Sequence, residues 1–106
     1  MTMVFRSLRS NKLADLLKAG GIGVIPTDTI YGISCSVLNK NAVERVYRLR
    51  GRDRNKPLIV LISSFADIAH YVRSDTVCNS LKKRFKKIWP AAVSIILPCP
   101  SKKYNN

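Results

Sequence analysis

The sequence predicts an α/β domain built on a twisted sheet with flanking helices, and three observations predict it. The short apolar runs Ile22–Ile25, Leu58–Ile62 and Val93–Leu97 have the length and density of strands. Between them lie stretches with helical spacing: Leu13, Leu16 and Leu17; then Val43, Val46 and Tyr47; then Val77, Leu81, Phe85 and Ile88. Strands alternating with helices in this way are the sequence pattern of α/β proteins. Finally, 46% of the 106 residues are hydrophobic, enough to drive folding of one domain that buries roughly 60–70% of its unfolded surface.

Taken in order, Ser10 is placed to cap a helix that Gly20-Gly21 ends. Ile22–Ile25 is continuous enough for a strand covered on both faces, and it stops at Pro26; Ile30–Val37 is a second β-prone run. Asn41, with Glu44 three residues on, resembles a capping box and starts a helix that delivers Arg50 and Arg52 to a loop. Leu58–Ile62 is the clearest strand, and Ser63-Ser64 cap a short helix running to Tyr71 or Val72. A helix after Asp75 buries its Val77-to-Ile88 stripe, carries Lys82, Lys83, Lys86 and Lys87 on its other faces and ends at Trp89-Pro90. Val93–Leu97 reads as the last strand, and residues 98–106 as an irregular tail.

Charge and cysteines narrow the function classes. Nineteen Lys and Arg against six Asp and Glu give +13, which favours polyanions such as nucleic acid or nucleotide phosphate over a merely solvated basic surface. Cys35, Cys78 and Cys99 are odd in number and widely spaced, against a zinc site or a disulfide framework, so a reducing, cytoplasmic setting is expected. Met1–Leu17 lacks the apolar core of a secretory signal, and no run approaches the ~18–20 apolar residues that span a bilayer. No GxxxxGK[ST] phosphate loop occurs, and Gly20-Gly21-Ile22-Gly23 precedes its strand rather than following it. His70 has no acidic or cysteine companion and reads as a surface or packing residue, while Trp89 reads as a ring closing its helix.

Two segments carry the chemistry. PTDTIYGI puts side-chain oxygens on Thr27, Asp28 and Thr29 at a strand end, followed by Tyr31 and Gly32. RLRGRDRNKPL spaces Arg50, Arg52, Arg54 and Lys56 two apart, with Gly51 in the turn and Pro57 closing it. Hydroxyls at one strand end and cations at the start of another suit a small polar molecule joined to a phosphate. The plainer alternatives are strand-end turn chemistry for the first segment and a solvated basic loop for the second. Asp28 has no second carboxylate with which to divide acid and base roles and reads as steadying its loop.

In this order and separation, PTDTIYGI and YRLRGRDRNKPLIVLI resemble the YrdC family, whose typical members are threonylcarbamoyl-AMP synthases with PT(E/D)T-x-YG and K-x-R…KPL segments. The likeness runs from about Ile22 to Leu97, including Trp89-Pro90 where the family has a WPGP turn. Arg50 stands where the family has Lys, Ala91-Ala92 replace Gly-Pro, and the family's later S-x-N and R-x-P segments are missing. The resemblance therefore implies a partial, apparently truncated YrdC-like domain over residues 1–97, with a mixed sheet curved around a cavity.

It further implies an L-threonylcarbamoyladenylate synthase, a nucleotidyltransferase that joins L-threonine, bicarbonate and ATP, with Mg accompanying ATP, for threonylcarbamoyladenosine in tRNA. On that reading Thr27, Thr29 and Tyr31 bind threonine, Arg50, Arg52 and Lys56 bind nucleotide, and Arg50 and Arg52 serve catalysis. The isolated chain is expected to be inactive, with a C-terminal half or another modification-complex protein as completing partner. One alternative is a non-catalytic module that binds tRNA or double-stranded RNA through Lys82, Lys83, Lys86 and Lys87. Another is a degenerate piece without function.

Overall fold

The computed structural model describes residues 2–72 and 79–98. The chain divides into two compact units, Met1–Pro57 and Leu58–Asn106. The first contains helix α1 (Asn11–Lys18), strands β1 (Ile22–Pro26) and β2 (Tyr31–Cys35), and helix α2 (Lys40–Arg50). The second contains a 3₁₀ helix (Phe65–His70) and helix α3 (Asn79–Ile88).

In the first unit α1 starts where expected, but Ser10 caps it through its backbone carbonyl, which accepts from the Ala14 N–H, rather than through its hydroxyl. The helix ends in a Schellman motif: Gly20 and Gly21 donate to the carbonyls of Leu17 and Leu16. Gly20 has φ +98°, and a Cβ there would meet Asn39 Nδ2 at 2.8 Å, so only glycine fits. Arg45 reaches back from α2 to donate to the Gly20 carbonyl at 3.2 Å, fixing this turn against the next helix.

The two strands form an antiparallel hairpin in which Val24 pairs with Ile33 and Pro26 with Tyr31. Strand alternation puts Val24, Ile33 and Tyr31 on one face and Gly23, Ile25, Gly32 and Ser34 on the other. Coverage on both faces was expected and is not what is found, since Val24 is 66% and Ile33 41% exposed. A two-stranded ribbon has too little width for helices to cover both sides, and here α2, whose buried residues are Ala42, Val46 and Tyr47, contacts β2.

Helix α2 begins two residues earlier than the capping-box reading placed it. Asn39, not Asn41, is the N-cap, its side-chain oxygen accepting from the Ala42 N–H at 3.0 Å. Both asparagines are competent caps, and Asn39 is the one whose side chain is used; Ala42, its donor, is 1% exposed. Glu44 is used elsewhere, in an ion pair with Arg54. At the other end Gly51 takes a left-handed φ of +55° while Gly51 and Arg52 donate to the carbonyls of Arg48 and Tyr47, a second Schellman ending.

The second unit is organised around Ile68, Val72 and Phe85, with Ile62, Phe65, Leu81, Trp89, Ile95 and Leu97 packed against them. The Phe85 ring lies 6.1 Å from Phe65 and 6.3 Å from Trp89, and Trp89 Nε1 donates to the Val93 carbonyl at 2.9 Å. Trp89 thus closes α3 by packing, as its sequence position suggested. Asp67 accepts from the Ser63 hydroxyl and from the N–H groups of Ser63 and Ser64, which sets the start of the 3₁₀ helix. The proposed start of α3 after Asp75 and the tail beyond Pro98 lie outside the described residues.

The runs Leu58–Ile62 and Val93–Leu97, expected as strands, form no ladder. Among the described residues the sheet is the single β1–β2 pair. The side chains still alternate like those of strands: Ile95 and Leu97 join the core while Ile96 between them is 98% exposed. An apolar run marks a segment able to lie extended over a core, whereas a strand also requires a neighbouring chain to accept its backbone hydrogen bonds.

Candidate functional site

The hydroxyl-bearing segment is the turn that joins β1 to β2. Thr27 organises it: its N–H and its Oγ1 both donate to the Ile30 carbonyl, at 3.0 and 2.6 Å, and Oγ1 accepts from the Thr29 N–H at 3.3 Å. The Thr27 hydroxyl has therefore spent its one proton and one of its two lone pairs on the turn, leaving a single acceptor position. The hydroxyls of Thr29 and Tyr31 have no partner among the described residues, and Tyr31 is 71% exposed. Tyr31 projects on the open face of the hairpin with Val24 and Ile33, so an apolar floor adjoins its polar tip.

The cationic segment is an ordered loop rather than a loose basic one. Tyr47, 8% exposed on α2, donates its hydroxyl proton to the Lys56 carbonyl at 3.0 Å. Arg52 Nε donates to the same carbonyl at 3.3 Å, and Arg52 Nη2 to the Pro57 carbonyl at 3.1 Å. At the tip, Asp53 accepts from the Lys56 N–H through its carbonyl and from the Asn55 N–H through Oδ1. Arg54 forms a bidentate pair with Glu44, which neutralises it.

The cations consequently differ in role. Arg52 spends one edge of its guanidinium on backbone carbonyls and keeps Nη1 free, so it is held in a fixed orientation. Arg50, at the end of α2, and Lys56 are exposed and unpaired among the described residues. The geometry thus separates a loop-bracing arginine, a neutralised arginine and two available cations, where the sequence shows only three arginines and a lysine spaced two apart. Turn and loop belong to the same unit, Met1–Pro57, and among the described residues no hydrogen bond or ion pair joins them.

Two residues of this region escaped the sequence reading as site components. Tyr47 was assigned to the apolar face of α2, and the signal that could have found it is a phenol at a position where packing alone would take Phe. Glu44 was assigned to a cap, although it is the acidic residue of α2, preceding a loop rich in Arg. Elsewhere, burial pushes the Cys35 thiol up from its ordinary pKa, and His70 is exposed at the end of the 3₁₀ helix. Hydrogen bonding, first from the Ser63 hydroxyl, draws the Asp67 carboxyl below its ordinary range. Lys82, Lys83, Lys86 and Lys87, with Arg84, are all exposed on α3 in the second unit. No group of three His, Cys, Asp or Glu able to hold a metal occurs among the described residues. No helix among them is long and apolar enough to cross a membrane.

Comparison with known proteins matches residues 15–106 to the Sua5_yciO_yrdC family, described as "Telomere recombination". Threonylcarbamoyl-AMP synthase of Pyrococcus abyssi (strain GE5 / Orsay) is 31% identical over 85 residues, covering 80% of this chain and 24% of that protein. The Bacillus subtilis (strain 168) protein of the same name is 33% identical over 86 residues, covering 81% and 24%. The human one is 44% identical over 57 residues, covering 54% and 20%. A variant structure of P. abyssi Sua5 superposes with a TM-score of 0.76 at 28% identity, over 87% of this chain and 27% of that one. The chain thus spans about a quarter of the length of these relatives. With the family match extending over most of its residues and the fold shared with P. abyssi Sua5, the chain belongs to the Sua5/YciO/YrdC family and has its YrdC-like α/β fold.

Proposed function

We propose that the chain supplies the threonine-binding turn and the phosphate-binding loop of a threonylcarbamoyl-AMP synthase acting in tRNA threonylcarbamoyladenosine formation in the cytoplasm. The observation that carries the reading is the division of labour in the Arg50–Pro57 loop, where Arg52 is braced on carbonyls while Arg50 and Lys56 stay available. Support comes from relatives named threonylcarbamoyl-AMP synthase that contain the matching segment.

In the proposed reaction the amine of L-threonine adds to the carbon of bicarbonate and water leaves, giving a carbamate. A carbamate oxygen then attacks the α-phosphorus of ATP; a P–O bond forms, the bond to the β-phosphate bridge breaks, and pyrophosphate departs. Little of this needs proton transfer by the protein, so positioning and neutralisation carry most of the acceleration. Arg50 and Lys56 neutralise phosphate, and the free Nη1 of Arg52 faces an anion in a pre-set direction. Thr29 and Tyr31 donate to the threonine carboxylate, while the remaining lone pair of Thr27 accepts from an N–H of its free amine. Magnesium belongs to the nucleotide as its counterion and is carried in with ATP.

The test is an NMR titration of the isotopically labelled chain at low ionic strength. L-Threonine should shift the signals of Thr29 and Tyr31, and Mg-ATP those of Arg50 to Lys56. Shifts confined to α3 on adding ATP would refute the assignment of the loop.

A second reading has its own observation. The five exposed cations of α3 form a surface suited to the phosphate backbone of tRNA or double-stranded RNA, recognised by charge and shape rather than sequence. It is compatible with the first, because the two surfaces lie in different units.

A further inference from the structure

We propose that Tyr47 is a positioning residue for the cationic loop, acting through its hydroxyl on Lys56 and Arg52; the proposal rests on the reading of that loop as the phosphate holder. The geometry has Tyr47 grip the loop at both ends. Its backbone carbonyl accepts from the Arg52 N–H at 3.1 Å where the chain leaves α2. Its side-chain hydroxyl donates to the Lys56 carbonyl at 3.0 Å, nine residues further on, where the chain enters Pro57.

Packing alone does not account for the hydroxyl. The ring is buried with Ala42 and Val46 on the face of α2 that packs toward β2, a position where Phe would serve equally well. The oxygen instead meets a carbonyl that also accepts from Arg52 Nε at 3.3 Å. Those two donors occupy both lone pairs of the Lys56 carbonyl and fix the plane of the Lys56–Pro57 peptide. With that peptide fixed, the direction in which Lys56 leaves the backbone is set, and so is the anchor on which the Arg52 guanidinium rests. The cations are therefore arranged before an anion arrives, and the ordering cost that a mobile basic loop would meet on binding is already covered by the fold.

Tyr47→Phe in the full chain isolates the hydroxyl, because the ring and its packing remain. Three quantities are measured on wild type and variant: thermal unfolding, hydrogen exchange of the Arg52 Nε–H and the Lys56 amide, and affinity for Mg-ATP and for inorganic tripolyphosphate at low ionic strength. The expected result is a melting temperature lowered by only a few degrees, faster exchange at both sites, and about five-fold weaker binding of both anions, the size of one lost hydrogen bond. Tyr47→Leu, which removes the ring as well, should lower the melting temperature much further, separating packing from positioning. Equal anion affinity for wild type and Tyr47→Phe overturns the positioning role, as does unchanged exchange at Arg52 Nε. If wild type binds neither ATP nor tripolyphosphate, the phosphate-holding reading fails, and the positioning role falls with it for a reason visible in the wild-type data alone.

Discussion

Replacing Arg52 by Lys separates position from charge in the cationic loop. Lysine keeps the positive charge, so the long-range attraction for phosphate is almost unchanged. Its single ammonium cannot reproduce the planar fork that reaches the Lys56 carbonyl from Nε and the Pro57 carbonyl from Nη2. A hydrogen bond from a charged donor contributes about 1.5–3 kcal/mol when well shielded, and about 1 kcal/mol is the better figure for a half-exposed group in competition with water. Two such bonds total about 2 kcal/mol of loop order, and a tenfold change in affinity corresponds to about 1.4 kcal/mol. If half to all of that order must be restored on binding, Mg-ATP affinity falls by about 5- to 30-fold. Arg50→Lys, at an unbraced position, should stay within about two-fold of wild type. NMR titration of the three proteins at one ionic strength reads both effects. Equal affinity for Arg52→Lys and wild type would refute the reasoning, because it would mean that charge alone, and not the braced geometry, governs the loop.

Other outcomes follow from the same structure. The Asp67 carboxyl is held below its ordinary range by its serine donors, so its contribution to the second unit is complete above the pKa of an unfolded aspartate and is lost as pH falls through the lower folded value. Thermal unfolding from pH 6 to pH 2 should show that loss, and Asp67→Asn should remove that component of the pH dependence. Burial raises the pKa of the Cys35 thiol, so in a Cys78→Ser, Cys99→Ser background it should react with iodoacetamide more slowly than a free thiol, with unfolding restoring the rate. Phe85→Ala opens the centre of the second core and should cost about 3–5 kcal/mol there, measured by denaturant unfolding. If α3 lies along RNA and neutralises about four phosphates, the logarithm of affinity should fall with the logarithm of salt at a slope near −3, and Lys82, Lys83, Lys86 and Lys87 changed together to Gln should flatten it; a salt-independent affinity would remove the RNA reading.

Features set by local chemistry were legible in the sequence. The stop of α1 at Gly20-Gly21, the start of β1 at Ile22 and the end of α2 before Gly51 follow from glycine tolerance and apolar spacing, and all are found. The choice between Asn39 and Asn41 was not legible, since either side chain can cap a helix and only the folded backbone shows that Asn39 does. Leu58–Ile62 and Val93–Leu97 show the limit more clearly: apolar density lives in the run itself, but strand pairing is a property of two runs. For the site, residue types and spacing singled out Thr27, Thr29, Tyr31, Arg50, Arg52 and Lys56 as candidates. They could not reveal that Thr27 spends its hydroxyl on its own turn, or that Arg54 is neutralised from α2. Such assignments depend on distances of a few tenths of an ångström, which only the folded backbone sets.

The most direct test grafts this chain's residues 22–58 in place of the matching segment of the B. subtilis threonylcarbamoyl-AMP synthase and measures pyrophosphate release from ATP that depends on both threonine and bicarbonate. The folded graft should retain threonine- and bicarbonate-dependent release and lose it when Arg52 is changed to Ala. A folded graft that releases no pyrophosphate while the parent enzyme is active would contradict the claim that this segment carries a working threonine turn and phosphate loop.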